Sequence, residues 1–407
     1  MRKLLNESCT ACGACVSACP KGCVYLEYDK LNNLQAYVDE EKCIHCNQCE
    51  KVCHLYKKPQ KNYPQVCYAA YAKDEGIRRN SSSGGIAAIV YKHALKEGIQ
   101  CFGVAFNSEQ KIAEFIEIQS EEDICLCKGS KYVYSHLNDT FLKIKENLKQ
   151  GKQTIFIALP CQVAALLAYL GDRNENLLCI DIICHGVTSD CYLRQHIQAI
   201  EKRKKKIADK LSFRDPTYGT DQYYFTLYQG QKCFYKKKVL ANDGYQIGYH
   251  KAVIYRDNCY DCRYACEERV GDLTIGDFSG LGKVDKWEEK RGNISCVLAS
   301  TKKGVGFLQQ LKEDICLQER PLQEALKYER QLQAPSIPSV YREQFVNYYQ
   351  ATQDFEYSIK TAAKKEIRQN NVKNFFHVKA MKKAAAKMVP KKFKLYIKRR
   401  INKTNGH

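Results

Sequence analysis

Eight cysteines in the first 58 residues fall into two copies of one spacing. Cys9, Cys12, Cys15 and Cys19 are separated by two, two and three residues, with Pro20 following, and Cys43, Cys46, Cys49 and Cys53 repeat the run. A 4Fe-4S cubane needs four thiolates around one compact core, and two-residue gaps let three sulfurs of a tight loop point inward. The fourth cannot come from the same loop, so each half lends its last cysteine to the other. That assigns one cluster to Cys9, Cys12, Cys15 and Cys53, and a second to Cys43, Cys46, Cys49 and Cys19. Zinc would instead prefer separated cysteine pairs. His54 follows Cys53 where proline is usual; proline there only stiffens the turn.

The chain holds 23 cysteines, an odd number, and its start, Met1 to Asn6, has no apolar signal region behind it. This argues against export and a disulfide scaffold, and for reduced, metal-binding thiols in the cytoplasm. Fifteen cysteines remain besides the eight of the two runs. Cys161, in Leu159-Pro160-Cys161-Gln162, sits at a strand-to-helix turn, and Cys184, in Cys184-His185-Gly186-Val187, at the end of the next strand. In a parallel α/β sheet both lie at the carboxyl edge, where ligands bind. With Cys259 and Cys262, a Cys-x2-Cys pair in a loop, they can supply four more thiolates, and Cys266 could replace one of them. The other ten (Cys23, Cys67, Cys101, Cys125, Cys127, Cys179, Cys191, Cys233, Cys296 and Cys316) read as small buried apolar residues.

The elements that must position these thiols come from 407 residues, about three domains in length. At 44% hydrophobic and 27% charged the chain is not disordered, and no apolar run is long enough to span a bilayer. We expect a ferredoxin-type 4Fe-4S dicluster domain at 1–58, a proline- and lysine-bearing linker at 57–66, an α/β half at 66–205, a strand-rich half at 206–350 and a basic helical tail at 358–407. The fold class is thus α+β / α/β. Strands are expected at Cys67–Ala72, Gln100–Phe106, Ile112–Ile118, Thr154–Ala158 and Leu177–Ile183. Helices are expected at Ile86–Glu97, His136–Gln150, Gln162–Leu170 and Asp190–Lys204, an alternation that indicates parallel pairing. Further strands are read at Leu211–Phe213, Tyr223–Tyr228, Gln246–Ile254, Leu273–Gly276 and Ser295–Ser300, with helices again from about Val305. Of the net charge of +20, residues 360–407 supply +15, with 16 Lys or Arg and one acid, Glu366. Apolar residues recur there at helical spacing (Met381, Ala384, Ala385 and Met388, then Phe393, Ile397 and Ile401), and such a basic amphipathic helix can lie at the inner face of an anionic membrane. Nucleic acid is a weaker reading, because the tail's aromatics are few and no nucleic-acid-binding fold is recognised.

Residues 66–300 resemble the beta subunit of coenzyme F420 hydrogenase/dehydrogenase. The pieces that carry the likeness, in the family's order, are Ser82-Ser83-Gly84-Gly85, Lys128-Gly129-Ser130-Lys131-Tyr132-Val133, Leu159-Pro160-Cys161-Gln162, Cys184-His185-Gly186-Val187, Ser212-Phe213-Arg214-Asp215, Cys259-x2-Cys262-x-Tyr264-Ala265 and Asp272-x-Thr274-Ile275-Gly276-Asp277-Phe278. Ser279 stands where the family often has tryptophan. The resemblance implies FAD and a third 4Fe-4S cluster in the body, on Cys161, Cys184, Cys259 and Cys262, in an iron–sulfur flavoprotein oxidoreductase. Ser82, Ser83, Gly84 and Gly85, opening a helix, would offer amides to the flavin diphosphate, and Lys128, Gly129, Ser130 and Lys131 amides and two cations. His185 is the proton-transfer candidate beside the flavin. The expected partners are a redox protein such as reduced ferredoxin and a small-molecule substrate; bacterial relatives beside polysaccharide-synthesis genes suggest where that substrate belongs. The competing reading is an electron-transfer subunit that serves a partner enzyme and has no substrate of its own.

Overall fold

A computed structural model of the chain describes residues 2–4, 9–171, 173–239, 241–288 and 293–375. Three short strands belong to the cysteine module: β1 (Arg2–Lys3), β2 (Val24–Tyr28) and β3 (Leu34–Val38). They are followed by β4 (Val66–Ala72), β5 (Gln100–Asn107), β6 (Ile112–Glu117), β7 (Ser135–His136), β8 (Thr154–Ala158) and β9 (Leu177–Ile182). Then come β10 (Lys210–Ser212), β11 (Tyr224–Gln229), β12 (Lys232–Lys238), β13 (Leu273–Asp277), β14 (Ser295–Ala299) and β15 (Ile315–Arg320). Nine of them form one mixed sheet in the order β15-β4-β14-β13-β9-β8-β5-β6-β7. At its centre β13, β9, β8 and β5 run parallel, flanked by antiparallel pairs on both sides.

The parallel centre follows from its residues. Thr154–Ala158 is buried along its whole length, the mark of a strand covered on both faces. Alternate residues serve the two cores: Ile155 and Ile157 pack under the helices Ile86–Glu97 and Lys302–Gln310, whereas Phe156 and Ala158 pack under Thr140–Lys149 and Pro160–Leu170. A third core lies where the small β10-β11-β12 sheet meets the helices Asp190–Lys204, Gly244–His250, Arg342–Thr352 and Phe355–Ala362. The cysteine module is seated on this body. Cys12 and Ala14 join the core under Pro160–Leu170, Tyr28 Oη donates to Asp190 (2.7 Å), Tyr192 Oη to the Leu31 carbonyl (2.7 Å) and Asn32 Nδ2 to Tyr349 Oη (2.6 Å). The linker is pinned as well, by a bridge between Asn62 and Arg269.

Several expectations change. Gln246–Ile254, read as a strand, carries the helix Gly244–His250. Residues 244–249 are buried on every side, so no helical stripe is visible, and Tyr245, Ile247 and Tyr249 mimic strand alternation. The neglected signal is Asp243, whose carboxylate caps the helix by accepting from the Gln246 N–H (2.8 Å). The helix expected from His136 begins at Thr140, and β12, β15 and the helix Glu121–Cys127 have no counterpart among the expected elements. Ser358, placed at the start of the basic tail, lies in the helix Phe355–Ala362, whose Phe355, Ser358, Ile359 and Ala362 are buried against the third core. The apolar positions from Met381 onward lie outside the described residues. Among the described residues no helix is long and apolar enough to cross a membrane.

Candidate functional site

The two cysteine loops share one backbone trace. Ala11 and Gly13 take left-handed conformations (φ 56° and 73°), and so do His45 and Asn47 at the matching positions (φ 53° and 56°). In each loop an amide turns onto the first sulfur, Ala11 N–H to Cys9 Sγ and His45 N–H to Cys43 Sγ, both at 3.4 Å. Cys9, Cys12, Cys15 and Cys53 ring a small cavity with Thr10, His54 and Leu55. Cys19 packs with Cys43 and Cys49 in the module's other half, with Cys23 Sγ 3.3 Å from Cys19 Sγ. Burial separates the two rings: Cys9, Cys12, Cys15 and Cys53 are 6–8% exposed, whereas Cys46 is exposed and Cys43, Cys49 and Cys19 are half-buried.

In the body, Cys161 and Cys184 follow the neighbouring parallel strands β8 and β9, and Cys259 and Cys262 come from the short helix Asp257–Tyr260 and the turn after it. The four line one cavity. Pro160 and Gln162 fix the Cys161 turn: proline starts the helix, and Gln162 Oε1 accepts from the Leu159 N–H (3.2 Å). Burial, reinforced by the neighbouring thiols, pushes the Cys161 and Cys184 thiols far up, and burial raises Cys259 to about 11. In the module burial raises Cys12 to about 12. Burial thus favours the neutral thiols in the metal-free chain, and a bound metal would displace their protons, because the thiolate is the ligand. Among the described residues no three His, Cys, Asp or Glu side chains converge on a point for a single ion. The thiols ring cavities instead, and four sulfurs with amide donors around an apolar void are the donor set a cubane takes. Cys266 stands apart, bonded by Lys61 Nζ (3.1 Å).

A hydrogen-bonded seam joins the buried module ring to the body ring. Thr10 Oγ1 lies 2.9 Å from His54 Nε2, and His54 Nδ1 lies 2.5 Å from Tyr264 Oη. His54 is buried, which lowers its pKa to about 4, so the ring is neutral. In the sequence His54 stands out only as a departure from proline, and nothing there singles out the Tyr264 hydroxyl.

A third, much larger cavity of about 670 Å³ opens along the carboxyl edge of the sheet. Its walls include the loops 81–86 and 128–133, the strand ends 157–159, 182–187 and 275–277, and Tyr132, Tyr249, Tyr255 and His250. Ser82 Oγ accepts from the Ser130 N–H (2.8 Å), so the two loops named from sequence meet at one end. Gly84 has a packing reason: a Cβ there would stand 2.2 Å from the Ala70 carbonyl, and its N–H donates to Ser295 Oγ (2.9 Å). Gly85 (φ 88°) turns the chain into Ile86–Glu97, and Ser83 Oγ donates to the Ile294 carbonyl (2.9 Å). Lys131 corrects the expectation of two cations. Its Nζ donates to the carbonyls of Leu126 (3.1 Å), Cys127 (2.8 Å) and Lys128 (3.0 Å), which spends all three N–H groups on the end of the helix Glu121–Cys127. Burial lowers it to about 8. Lys128 and Gly129 line the cavity at the same loop. His185 lines the open cavity, with its pKa lowered by desolvation. His250, hidden in the misread segment, stands near it, and desolvation lowers it to about 4. Arg214 Nη1 pairs with Asp277 at the mouth (2.6 Å).

Known proteins match the chain along the same divisions. Residues 8–55 match a model of the 4Fe-4S dicluster domain. Residues 67–141 match the N-terminal model of the coenzyme F420 hydrogenase/dehydrogenase beta subunit, and residues 151–325 match its C-terminal model. One subunit of the F(420)H(2) dehydrogenase of Methanosarcina mazei is 25% identical over 202 residues, covering 46% of this chain and 57% of that protein. An uncharacterised protein of Methanocaldococcus jannaschii is 23% identical over 202 residues, covering 42% of this chain and 55% of its own. The chain thus spans just over half the length of the curated relatives it matches. A chain of the F420-reducing [NiFe] hydrogenase complex from Methanosarcina barkeri aligns with a TM-score of 0.43 and 15% identity, over 76% of this chain and 90% of that one. With matches on both halves of the body and on the cysteine module, this chain belongs to the family of coenzyme F420 hydrogenase/dehydrogenase beta subunits and carries a 4Fe-4S dicluster domain.

Proposed function

We propose that this chain is an iron–sulfur flavoprotein oxidoreductase that exchanges single electrons with an outside redox protein and a hydride with a small molecule. The observation that carries this reading is that its three cavities abut. The module cavity ringed by Cys9, Cys12, Cys15 and Cys53 shares Thr10, His54 and Leu55 with the cavity ringed by Cys161, Cys184, Cys259 and Cys262. The second shares Leu159, Gln162, Cys184, His185, Gly186 and Val187 with the 670 Å³ cavity. When bound, a flavin converts between hydride and single-electron chemistry and each cubane carries one electron. The large cavity has the volume of a cofactor pocket, with Lys128, Ser82 and the Ser130 loop at its anion-binding end and tyrosines along its walls. His185 and His250, the proton-transfer candidates, face this cavity, and desolvation favours the neutral imidazole at both. Exposed Cys46 puts the second module ring at the surface, where a carrier such as reduced ferredoxin can dock.

Anaerobic iron, sulfide and flavin analysis tests this. We expect about 12 iron and 12 sulfide per chain, four of each per cubane, with one non-covalent FAD. Saturation near eight irons removes the body cluster, and absence of flavin removes the reading of the large cavity. A second reading is an electron-transfer subunit without its own substrate. It draws on the Methanosarcina mazei relative, which is one subunit of a dehydrogenase. Turnover of a hydride donor by the isolated chain with an artificial acceptor separates the two.

A further inference from the structure

Five arginines are buried in the described structure: Arg214, Arg256, Arg269, Arg320 and Arg342. Four of them face a carboxylate: Arg214 pairs with Asp277 (2.6 Å), Arg269 with Asp181 (2.8 Å), Arg320 with Glu324 (2.8 Å) and Arg342 with Asp257 (2.6 Å). Arg256, 2% exposed, is the exception. Among the described residues its guanidinium meets only neutral oxygens: Nη2 donates to the carbonyls of Leu34 (2.8 Å) and Cys9 (3.3 Å), and Nε to Asn258 Oδ1 (3.2 Å). The ring of Tyr134 lies beside it, 4.9 Å from the guanidinium carbon. A buried cation without a counter-charge is costly, so its position calls for an anion. The side chain lines the body thiol cavity, three residues before Cys259, and grips the carbonyl of Cys9, which belongs to the buried module ring.

We propose that Arg256 is the shared counter-cation of the buried module cluster and the body cluster. A cubane on four thiolates is net negative and becomes more so on taking up an electron, so a fixed cation in a low-dielectric seam favours the reduced form of both. The surface ring around Cys46 lies outside this seam and is screened by water. Arg256 therefore raises both inner potentials relative to the outer one and draws electrons inward. This rests on the three-cluster reading above.

The test is a redox titration followed by electron paramagnetic resonance on anaerobically purified full-length protein. The wild-type chain comes first: fewer than three clusters removes the functional reading and this proposal with it. With three present, Arg256→Met should shift the electron equilibrium of both inner clusters at least tenfold toward the oxidised form, about 59 mV for one electron, and leave the outer cluster in place. Arg256→Lys should recover part of the shift. If Arg256→Met loads no iron, rescue of loading by Arg256→Lys supports the charge. Asn258→Asp, nearly isosteric, sets a carboxylate on the same guanidinium and should lower both inner potentials. Unchanged inner potentials in an iron-replete Arg256→Met or in Asn258→Asp, or an equal shift at the outer cluster, overturns the proposal.

Discussion

Tyr264→Phe asks how firmly the module is held against the body. The substitution keeps the ring beside Cys161 and Cys262 and removes one hydroxyl. His54 is 1% exposed, and its Nδ1 then loses its partner at 2.5 Å, while Nε2 keeps Thr10 Oγ1 at 2.9 Å. A buried nitrogen left unpaired costs about 1–3 kcal/mol, whereas the retained ring leaves little packing to lose. Because the bond joins module to body, the loss should appear as local opening of the seam rather than uniform weakening. Hydrogen exchange on the anaerobically loaded protein reads this. Amides in the 9–15 loop should exchange roughly 5- to 150-fold faster, the equivalent of that free energy. Those of the helix Ile86–Glu97, in the core on the opposite face of the sheet, serve as the unchanged control. Thr10→Ala should act in the same direction with a smaller effect, since Thr10 lies on the less buried side of the imidazole. Exchange at 9–15 within about twofold of wild type would refute the seam as a structural bond.

Cys161→Ala should lower iron from about twelve to about eight per chain while both module signals persist, checked by metal analysis and paramagnetic resonance. Lys128→Ala should weaken flavin binding by about tenfold or more, the loss of one charge-assisted contact, in a fluorescence titration; Lys131→Met should instead lower the unfolding midpoint with little effect on flavin affinity. In the iron-free chain, Cys259 has its thiol raised from 9.0 to about 11, so the neutral form is the one the fold favours. Its contribution is fully present below pH 9 and is lost as pH rises through about 11, a loss of about 3 kcal/mol. Urea unfolding at about pH 8 and about pH 10.5 should show this fall, and Cys259→Ala should lessen it by that one thiol's share, since Cys12, Cys161 and Cys184 are raised as well.

How much of this was legible in the sequence depends on whether a signal is local. The cysteine runs and the strand-end positions of Cys161 and Cys184 were legible, because spacing and strand-helix alternation are local facts. Ile86–Glu97 and Asp190–Lys204 were read to their ends because they have both a buried stripe and a clear start, Gly85 for one and Ser189 for the other. Gly244–His250 was not, because total burial erases the stripe. Lys131 is a different case: its N–H groups meet carbonyls three to five residues earlier, which no count of cations reveals. Tyr264, His250 and Arg256 matter through partners far away in sequence, and only the folded chain brings these together.

The module's repeat also carries a lesson about symmetry. Its two loops match in cysteine spacing, in left-handed positions and in the amide on the first sulfur, so nothing in the repeat says which cluster faces inward. The body breaks the tie. Ala14 and Cys12 of the first loop enter the core beneath Pro160–Leu170, and Tyr134 Oη bonds the Ala11 carbonyl (2.6 Å). At the corresponding positions of the second loop His45, Cys46 and Gln48 are exposed, as is Ile44 at 56%. One half of a symmetric module is thereby buried against the body and the other left at the surface. The residues that decide which is which, Tyr134, Arg256 and Tyr264, all belong to the body.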